Sequence, residues 1–386
     1  MRSDPPASLT SDGLTGHRSR SIVAPSLAQA RIRVGIIGCG LIAQVMHLHY
    51  LRELDDRFEI AALCDLSRTV VDQLGDRYGV SRRFTDWRAL LEEPLDAVMV
   101  LTSGSHEPVA VVAAQAGRHL FIEKPIALSE AEGNAIIAAG QKAGVRIMVG
   151  YMKRYDLAVE RMAQELQSLT PLRFARSTTA EFPLTWYVAH YPIFRGTDID
   201  AGLIRRLEAE DEARVTAAIN IGDPILRQAY RHALLDSMIH DINLMRGLLG
   251  EPTALPFASV TQAAVSLFVR FPQTDAAMHW VNLQDGVARY QQEFSFFSPQ
   301  HRATLNFPSP FLRSAPIELV LEGGTVESSR SWRTVETVSF ESAFKRELVE
   351  FYECLTKDRQ PRTPAEDAVR DVAFCQQIVK FVNTSA

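Results

Sequence analysis

Three groups of residues have types and spacings that can do chemistry. The first is Gly38-Cys39-Gly40-Leu41-Ile42-Ala43, directly after the apolar run Ile32–Ile37. In this order Gly38 permits a tight turn, Gly40 lets the backbone approach a pyrophosphate, and Ala43 is small enough for a helix to pack closely on a strand. The phosphates would rest on the free N–H groups of the helix start, where the dipole favours negative charge. A second apolar run ends at Asp65, where a carboxylate can accept hydrogen bonds from adenosine ribose hydroxyls. Gly38, Cys39, Gly40, Leu41, Ile42 and Asp65 are therefore the candidate dinucleotide contacts. The alternative is that the glycines serve only the turn and Asp65 only caps the next helix. An acid at this position repels a 2′-phosphate and favours NAD. Arg68, three residues on, would offset that by pairing with the phosphate and would admit NADP.

The second group is Glu123-Lys124-Pro125, at the end of the apolar run Leu120–Ile122. Ligands of doubly wound sheets bind at the carboxyl ends of parallel strands. A hydride leaves a carbinol carbon only if the hydroxyl proton is also removed, and in reverse the developing alkoxide needs a proton or a positive charge. An ammonium such as Lys124 can do both if burial lowers its pKa. Its alternative is a surface lysine paired with Glu123. The third group is Asp236 and His240, four apart in a helical stretch and so on one face. One can hold a hydroxyl while the other relays its proton, and imidazole titrates near neutrality. The alternative is an acid near a helix start and a core-facing histidine. Asp241, about 100° around the helix, is expected to be a structural ion-pair partner.

These residues need a framework. From Arg31 to about Gly150, continuous Val/Ile/Leu runs alternate with amphipathic helices, the pattern of a parallel sheet covered on both faces. The fold class expected is α/β, with a doubly wound Rossmann domain over 31–152. After Tyr155 the texture changes. A helix (Leu157–Leu169) and a strand (Leu172–Glu181) precede an irregular polar stretch to Asp223, which holds an acidic helical piece at Ile204–Glu212. A helix at Ala229–Leu249 is stopped by Gly250 and Pro252. Five strand-like runs follow, at Ala263–Phe271, Ala276–Asn282, Tyr290–Phe297, Ala303–Phe307 and Ile317–Glu322, then helices at Ala343–Leu355 and Pro364–Val382. Residues 153–386 are expected to form an α+β substrate and oligomerisation domain with a large, mostly antiparallel open sheet, its last helices packing back on the first domain.

Composition bounds the partners. The 386 residues include 41 Lys+Arg and 46 Asp+Glu, for a net charge of −5, with no run of like charges. Binding nucleic acid by phosphate neutralisation is therefore not expected. No apolar stretch reaches transmembrane length. Cys39, Cys64, Cys354 and Cys375 form no C-x-x-C pair or zinc spacing and read as free thiols of a reducing, cytoplasmic compartment; no metal site is expected. Residues 1–30, rich in Ser, Pro, Ala and Arg, read as a disordered leader; an export signal over Ser21–Ala30 is the alternative, interrupted by Ser and Pro.

Three segments resemble the glucose–fructose oxidoreductase/inositol dehydrogenase/MocA family: Glu123-Lys124-Pro125, Gly150-Tyr151-Met152-Lys153-Arg154-Tyr155 and Leu234-Leu235-Asp236-Ser237-Met238-Ile239-His240-Asp241. The resemblance spans about residues 31 to 250. It implies an NAD(P)-dependent dehydrogenase or reductase acting on a secondary alcohol or ketone of a sugar, cyclitol or related polyol. Lys124, Asp236 and His240 would be catalytic. Thr102, Ser103, His106, Glu123 and Lys124 would border the nicotinamide end, although Thr-Ser-Gly-Ser-His is one residue shorter than the run relatives carry there. Tyr151, Lys153 and Arg154 would line the substrate cleft, joined by Trp186 and Tyr230. Trp186, Tyr187, His190 and Tyr191 either stack on a sugar ring or pack under a loop. Many relatives carry a Gly-rich run before the Asp236 helix, which this chain lacks, so its substrate is expected to differ from theirs. Two alternatives stay open: a tightly held cofactor recycled within one turnover for elimination, epimerisation or glycoside cleavage, and a non-catalytic dinucleotide sensor. A homodimer or homotetramer is expected through the open sheet, with Phe268, Phe271, Trp280, Phe294 and Phe297 along its free face.

Overall fold

A computed structural model describes residues 31–283, 289–327 and 329–385. The leader expected over 1–30 lies outside the described residues. The first sheet forms as β1 (Ile32–Ile37), β2 (Phe58–Cys64), β3 (Arg82–Phe84), β4 (Ala97–Val100), β5 (His119–Glu123) and β6 (Ile147–Gly150). The spatial order is β3-β2-β1-β4-β5-β6 with every pairing parallel. This is the doubly wound order whose switch point lies between β1 and β4. All four residues of β4 are completely buried, as a strand covered on both faces requires.

Helices fill the connections: α1 (Leu48–Glu53, entered through a π-helical turn Ala43–His47), α2 (Arg68–Tyr78), α3 (Trp87–Leu91), α4 (Glu107–Gln115) and α5 (Glu130–Ala143). The starts of α2, α3 and α5 are set by capping side chains. Ser67 Oγ accepts from Val70 N–H, and Ser129 Oγ from Glu132 N–H. Gly79 and Gly144 close α2 and α5 in the left-handed conformation.

A 3-10 turn (Met152–Tyr155) leads to α6 (Leu157–Ser168) and β7 (Phe174–Glu181). The stretch expected to be irregular contains α7 (Thr185–Val188) and a long helix, α8 (Ala201–Ile219), capped by Asp200. Only Val215 and Ile219 of α8 are buried, so its weak apolar periodicity concealed most of its length. Helix α9 (Pro224–Gln228) runs through a π-helical stretch (Ala229–Met238) into α10 (Ile239–Leu249).

The second sheet adds β8 (Ala254–Val260), β9 (Ala264–Arg270), β10 (Asp275–Asn282), β11 (Gln291–Phe297), β12 (His301–Phe307), β13 (Glu318–Thr325) and β14 (Arg330–Thr337). Its order is β14-β13-β12-β11-β7-β10-β9-β8, antiparallel except for β7 beside β10. Two of these strands, β8 and β14, were not expected. β14 is exposed along nearly its whole length, so no alternation marks it.

Alternation also corrects the expected free face. Phe271, Trp280 and Phe294 point into the helix-covered core. Their register neighbours, such as Ser177 and Thr179, are fully buried on that same side. Phe268 and Phe297 lie on the opposite face, flanking Phe174 at ring separations of 6.1 and 6.5 Å.

The last helices, α11 (Ala343–Thr356) and α12 (Ala365–Ser385), lie against the first sheet's helices and the 3-10 turn. Phe351 packs edge-on to Phe121, and Lys345 Nζ reaches Glu53 at 3.0 Å. Arg246 links α10 to α12: its guanidinium pairs with Asp371 and Asp367 in the interior. The four cysteines are free and buried. Among the described residues no helix is long and apolar enough to cross a membrane.

Candidate active site

The turn after β1 has the geometry a pyrophosphate needs. Gly38 has φ +93°, and a Cβ there would stand 2.7 Å from the Leu101 carbonyl and Thr102 N. Only glycine fits, because the β1 and β4 turns touch at this point. A Cβ on Gly40 would meet nothing within 4 Å, so the backbone there is open to a ligand. Asp65 receives Cys39 N–H at 2.8 Å and Ser67 N–H at 2.9 Å. It thus ties the glycine turn to the start of α2. These residues fit a dinucleotide. Arg68, offered above as a 2′-phosphate partner, instead binds Asp72 one helical turn on, at 2.9 Å.

A cleft of about 550 Å³ opens beside this turn. Gly40, Leu41 and Ile42 line it from the turn, Thr102, Ser103 and His106 from the end of β4, and Glu123 and Lys124 from the end of β5. Met152 and Lys153 form another wall. The second sheet contributes Glu181, Tyr290 and Gln292, and the π-helical stretch with α10 contributes Arg231, His232, Asp236 and His240. Lys124, Asp236 and His240, far apart in the chain, therefore share one cavity with the glycine turn.

Lys124 Nζ donates to Asp236 Oδ1 at 2.9 Å and to the Asp236 carbonyl at 2.5 Å. Burial pulls the ammonium's pKa down, but Asp236 and Glu123 together raise it above the ordinary lysine value. The expected lowering is thus reversed: Lys124 is a cation here, not a ready base. Asp236 is correspondingly held below the usual carboxylate range by Lys124. His240 behaves oppositely. Burial, with Lys153 and Lys124 nearby, drives its pKa well below that of free imidazole, and its Nδ1 has no partner. A neutral ring able to accept a proton results.

Glu123 turns from the cleft toward His47, whose Nε2 is 2.6 Å from Oε1, while Oε2 accepts the Lys124 backbone N–H. It holds the lysine's strand end and is not the salt-bridge partner of the Lys124 ammonium. Both ring nitrogens of His106 lie 2.8 Å from carbonyl oxygens, those of Pro125 and Thr102, and the neutral ring donates its one N–H to one of them. The buried ring sits between two cleft-lining turns, with both nitrogens facing backbone and not the cleft.

Of the expected substrate residues, Lys153 stands in the wall, its pKa pushed down to about 8 by burial. Tyr151, expected in the cleft wall, is instead buried behind it, edge-on to His240 at 6.1 Å, and supports that ring. Further expectations are corrected. Arg154 points between α10 and α12, donating to the Asn243 amide oxygen at 3.3 Å and facing the Asp367 carboxylate at 3.6 Å, partners that hold it away from the cleft. Tyr230 is fully buried and donates to the Leu128 carbonyl at 2.8 Å. Trp186 is 68% exposed and outside the cleft; its neighbour Tyr187 faces inward, its hydroxyl accepting from Tyr290 N–H. Tyr191 packs under a loop, donating to the Phe311 carbonyl at 2.6 Å. Asp241 is no ion-pair partner. It is buried and accepts from Thr179 Oγ1 and Gln292 Nε2, with burial raising its pKa to about 6.

Several cleft residues were not foreseen: Glu181, Tyr290 and Gln292 come from β7 and β11 and the turn before β11, whose pattern shows only alternation. His47 was equally hidden, since a lone histidine in a helix carries no signal. Among the described residues no group of His, Cys, Asp and Glu could hold a metal ion.

Residues 32–151 match the model of an oxidoreductase family with an NAD-binding Rossmann fold. The chain is 35% identical over 148 residues to D-apiose dehydrogenase of Paraburkholderia graminis, covering 38% of this chain and 39% of that one. It is 28% identical over 194 residues to myo-inositol 2-dehydrogenase of Thermotoga maritima, covering 48% and 58%. The matched part thus spans less than two thirds of either relative. In three dimensions the chain is similar to the aldose-aldose oxidoreductase of Caulobacter crescentus crystallised with glycerol. The TM-score is 0.71 at 20% identity, over 92% of this chain and 99% of that one, which establishes a shared fold.

Proposed function

We propose that the chain, whose residues 32–151 match the Gfo/Idh/MocA model of NAD-binding oxidoreductases, is a member of that family and a dehydrogenase or reductase acting on a secondary alcohol or ketone of a sugar, cyclitol or similar polyol. The observation that carries this reading is the Lys124–Asp236 contact in one cleft with His240 and the glycine turn.

Gly38, Gly40, Leu41, Ile42 and Asp65 would hold the dinucleotide, with Thr102 and Ser103 beside its nicotinamide end. The bound nicotinamide supplies a hydride acceptor or donor. Lys124 then holds the substrate oxygen through its ammonium, placing positive charge where alkoxide character develops. Asp236 anchors that ammonium. In the oxidative direction neutral His240 accepts the hydroxyl proton; in the reductive direction the imidazolium returns it. Lys153, Tyr187, Tyr290 and Gln292 offer donors and acceptors around the remaining hydroxyls.

The test is a panel of sugars and cyclitols with NAD or NADP, followed by absorbance of the reduced nicotinamide. Net reduction with at least one polyol is expected, and is lost in Lys124→Ala. Turnover with no net change in reduced nicotinamide would replace this reading by internal cofactor recycling, and binding without turnover by a sensor. We further infer self-association through the second sheet's free face, where Phe174, Phe268 and Phe297 cluster beside Phe257, 52% exposed. A Phe257→Glu variant lowering the mass in solution checks it.

A further inference from the structure

Residues 192–198, in the polar stretch between β7 and α8, run across α2 and the π-helical turn before α1. The Pro192 carbonyl accepts from Arg77 Nη1 at 3.1 Å, and that guanidinium stacks 4.0 Å over the Phe194 ring. Phe194 bonds through both backbone groups to the Gln44 side chain, at 2.9 Å each. A Cβ on Gly196 would stand 2.4 Å from Ser67, so the backbone there lies directly against the turn after β2. Asp198 follows. Its carboxylate accepts from Ser67 Oγ and, at 3.0 Å, from Thr69 N–H at the start of α2. These two bonds hold its pKa down, at about 2.

Ser67, Arg68 and Thr69 lie just beyond Asp65. For an adenosine ribose seated at Asp65 they are the hydroxyl, guanidinium and helix-start N–H that a 2′-phosphate would use. In this protein the hydroxyl and the helix-start N–H are taken, and the guanidinium is paired through one of its N–H groups. Ser67 Oγ and Thr69 N–H serve Asp198, and Arg68 Nε serves Asp72 at 2.9 Å. We propose that Asp198 is a specificity-determining residue for the dinucleotide: supplied from between β7 and α8, its carboxylate stands where a 2′-phosphate would bind and excludes NADP in favour of NAD. The discrimination is repulsive as well as competitive, since a 2′-phosphate carrying nearly two negative charges would face the carboxylates of both Asp65 and Asp198. This inference rests on the reading of the first sheet as a nicotinamide dinucleotide site, and adds which dinucleotide it takes and why.

Calorimetric titration of the full chain with NAD and with NADP tests it without turnover. The wild-type chain should bind NAD about tenfold more tightly than NADP, or better. Asp198→Ser, which leaves the two donors free, should strengthen NADP binding by about that factor while NAD changes little. Asp198→Asn keeps the side-chain shape and removes the charge, so it should give part of the same gain if the Ser variant disturbs the local chain. Equal affinity for the two dinucleotides in the wild type, or an unchanged ratio in both variants with both dinucleotides still bound, overturns the role of Asp198 alone. Binding of neither dinucleotide by any form overturns the cofactor site and this proposal with it.

Discussion

Lys124 Nζ lies 2.9 Å from Asp236 Oδ1, joining the carboxyl end of β5 to the helix that approaches it from the second sheet. Each group shifts the other toward its charged form. The pair therefore presents a fixed cation at the cleft, and in the proposed reaction proton transfer falls to His240, the cleft ring that burial keeps neutral.

Removal of that cation should act on the chemical step. Lys124→Ala is expected to lower kcat by about 10²–10⁴-fold. Dinucleotide affinity, set by the glycine turn and Asp65, should change little. Steady-state kinetics together with cofactor titration check it. Loss of cofactor binding in parallel with kcat would mean that the lysine acts on the cofactor site instead.

The pH profile follows from two shifted groups. A proton-accepting imidazole works when neutral, and activity fails as pH falls through its pKa. Since that pKa is depressed at His240, the acid limb of alcohol oxidation should lie below the usual value of about 6.5. Lys153 loses its charge near pH 8 rather than at the ordinary lysine value. KM should therefore rise above pH 8, and Lys153→Arg should remove that limb, because guanidinium stays charged. Measurement of kcat/KM from pH 5 to 10 checks both limbs.

Glu347 on α11 is fully buried, and neither of its carboxyl oxygens has a hydrogen-bond partner. Burial and the nearby Glu123 raise its pKa well above that of a free carboxyl. A carboxyl whose folded pKa is raised favours the folded state below its unfolded pKa, and that advantage is lost as pH climbs above it. Glu347→Gln should thus stabilise the protein at pH 8 by about 1–3 kcal/mol and leave it nearly unchanged at pH 4.5. Thermal unfolding at the two pH values measures this. Equal effects at both would show that Glu347 is not protonated in the folded chain.

Arg246 has 2% of its side chain exposed and faces Asp371, which is fully buried, together with Asp367 and Glu251. Burial has already raised Asp371 to about 6. Arg246→Met leaves that carboxyl without its cation, and destabilisation of about 3–5 kcal/mol is expected. Asp371→Asn in the same chain should recover part of it. Chemical denaturation of the single and double variants measures the coupling.

The first sheet was legible because each of its signals is local. Buried parallel strands read as unbroken apolar runs, and Ser67, Ser129, Gly79 and Gly144 bracket the helices at their own positions. The second sheet was half legible. Its central strands alternate, but β14 buries too little to do so, and the parity of each strand decided which phenylalanines face outward. The candidate site divides in the same way. The glycine turn, Asp65, Lys124, Asp236 and His240 were found by type and spacing. Glu181, Tyr290 and Gln292 were not, since a side chain on a strand face has no signature until another element covers it. Arg154 and Tyr230 lie beside motif residues in the chain, yet packing turns them into the interior.

The amino-acid order by itself determined the doubly wound sheet and the dinucleotide turn, and it singled out the three groups proposed above to carry the chemistry. Those properties depend on φ freedom, side-chain size and apolar periodicity within a few residues. Only the tertiary structure decided their charge states and the true lining of the cleft. It also placed Asp198 on the start of α2 from far along the chain. Protonation depends on burial and on charges from distant elements, and these exist only once the chain has folded.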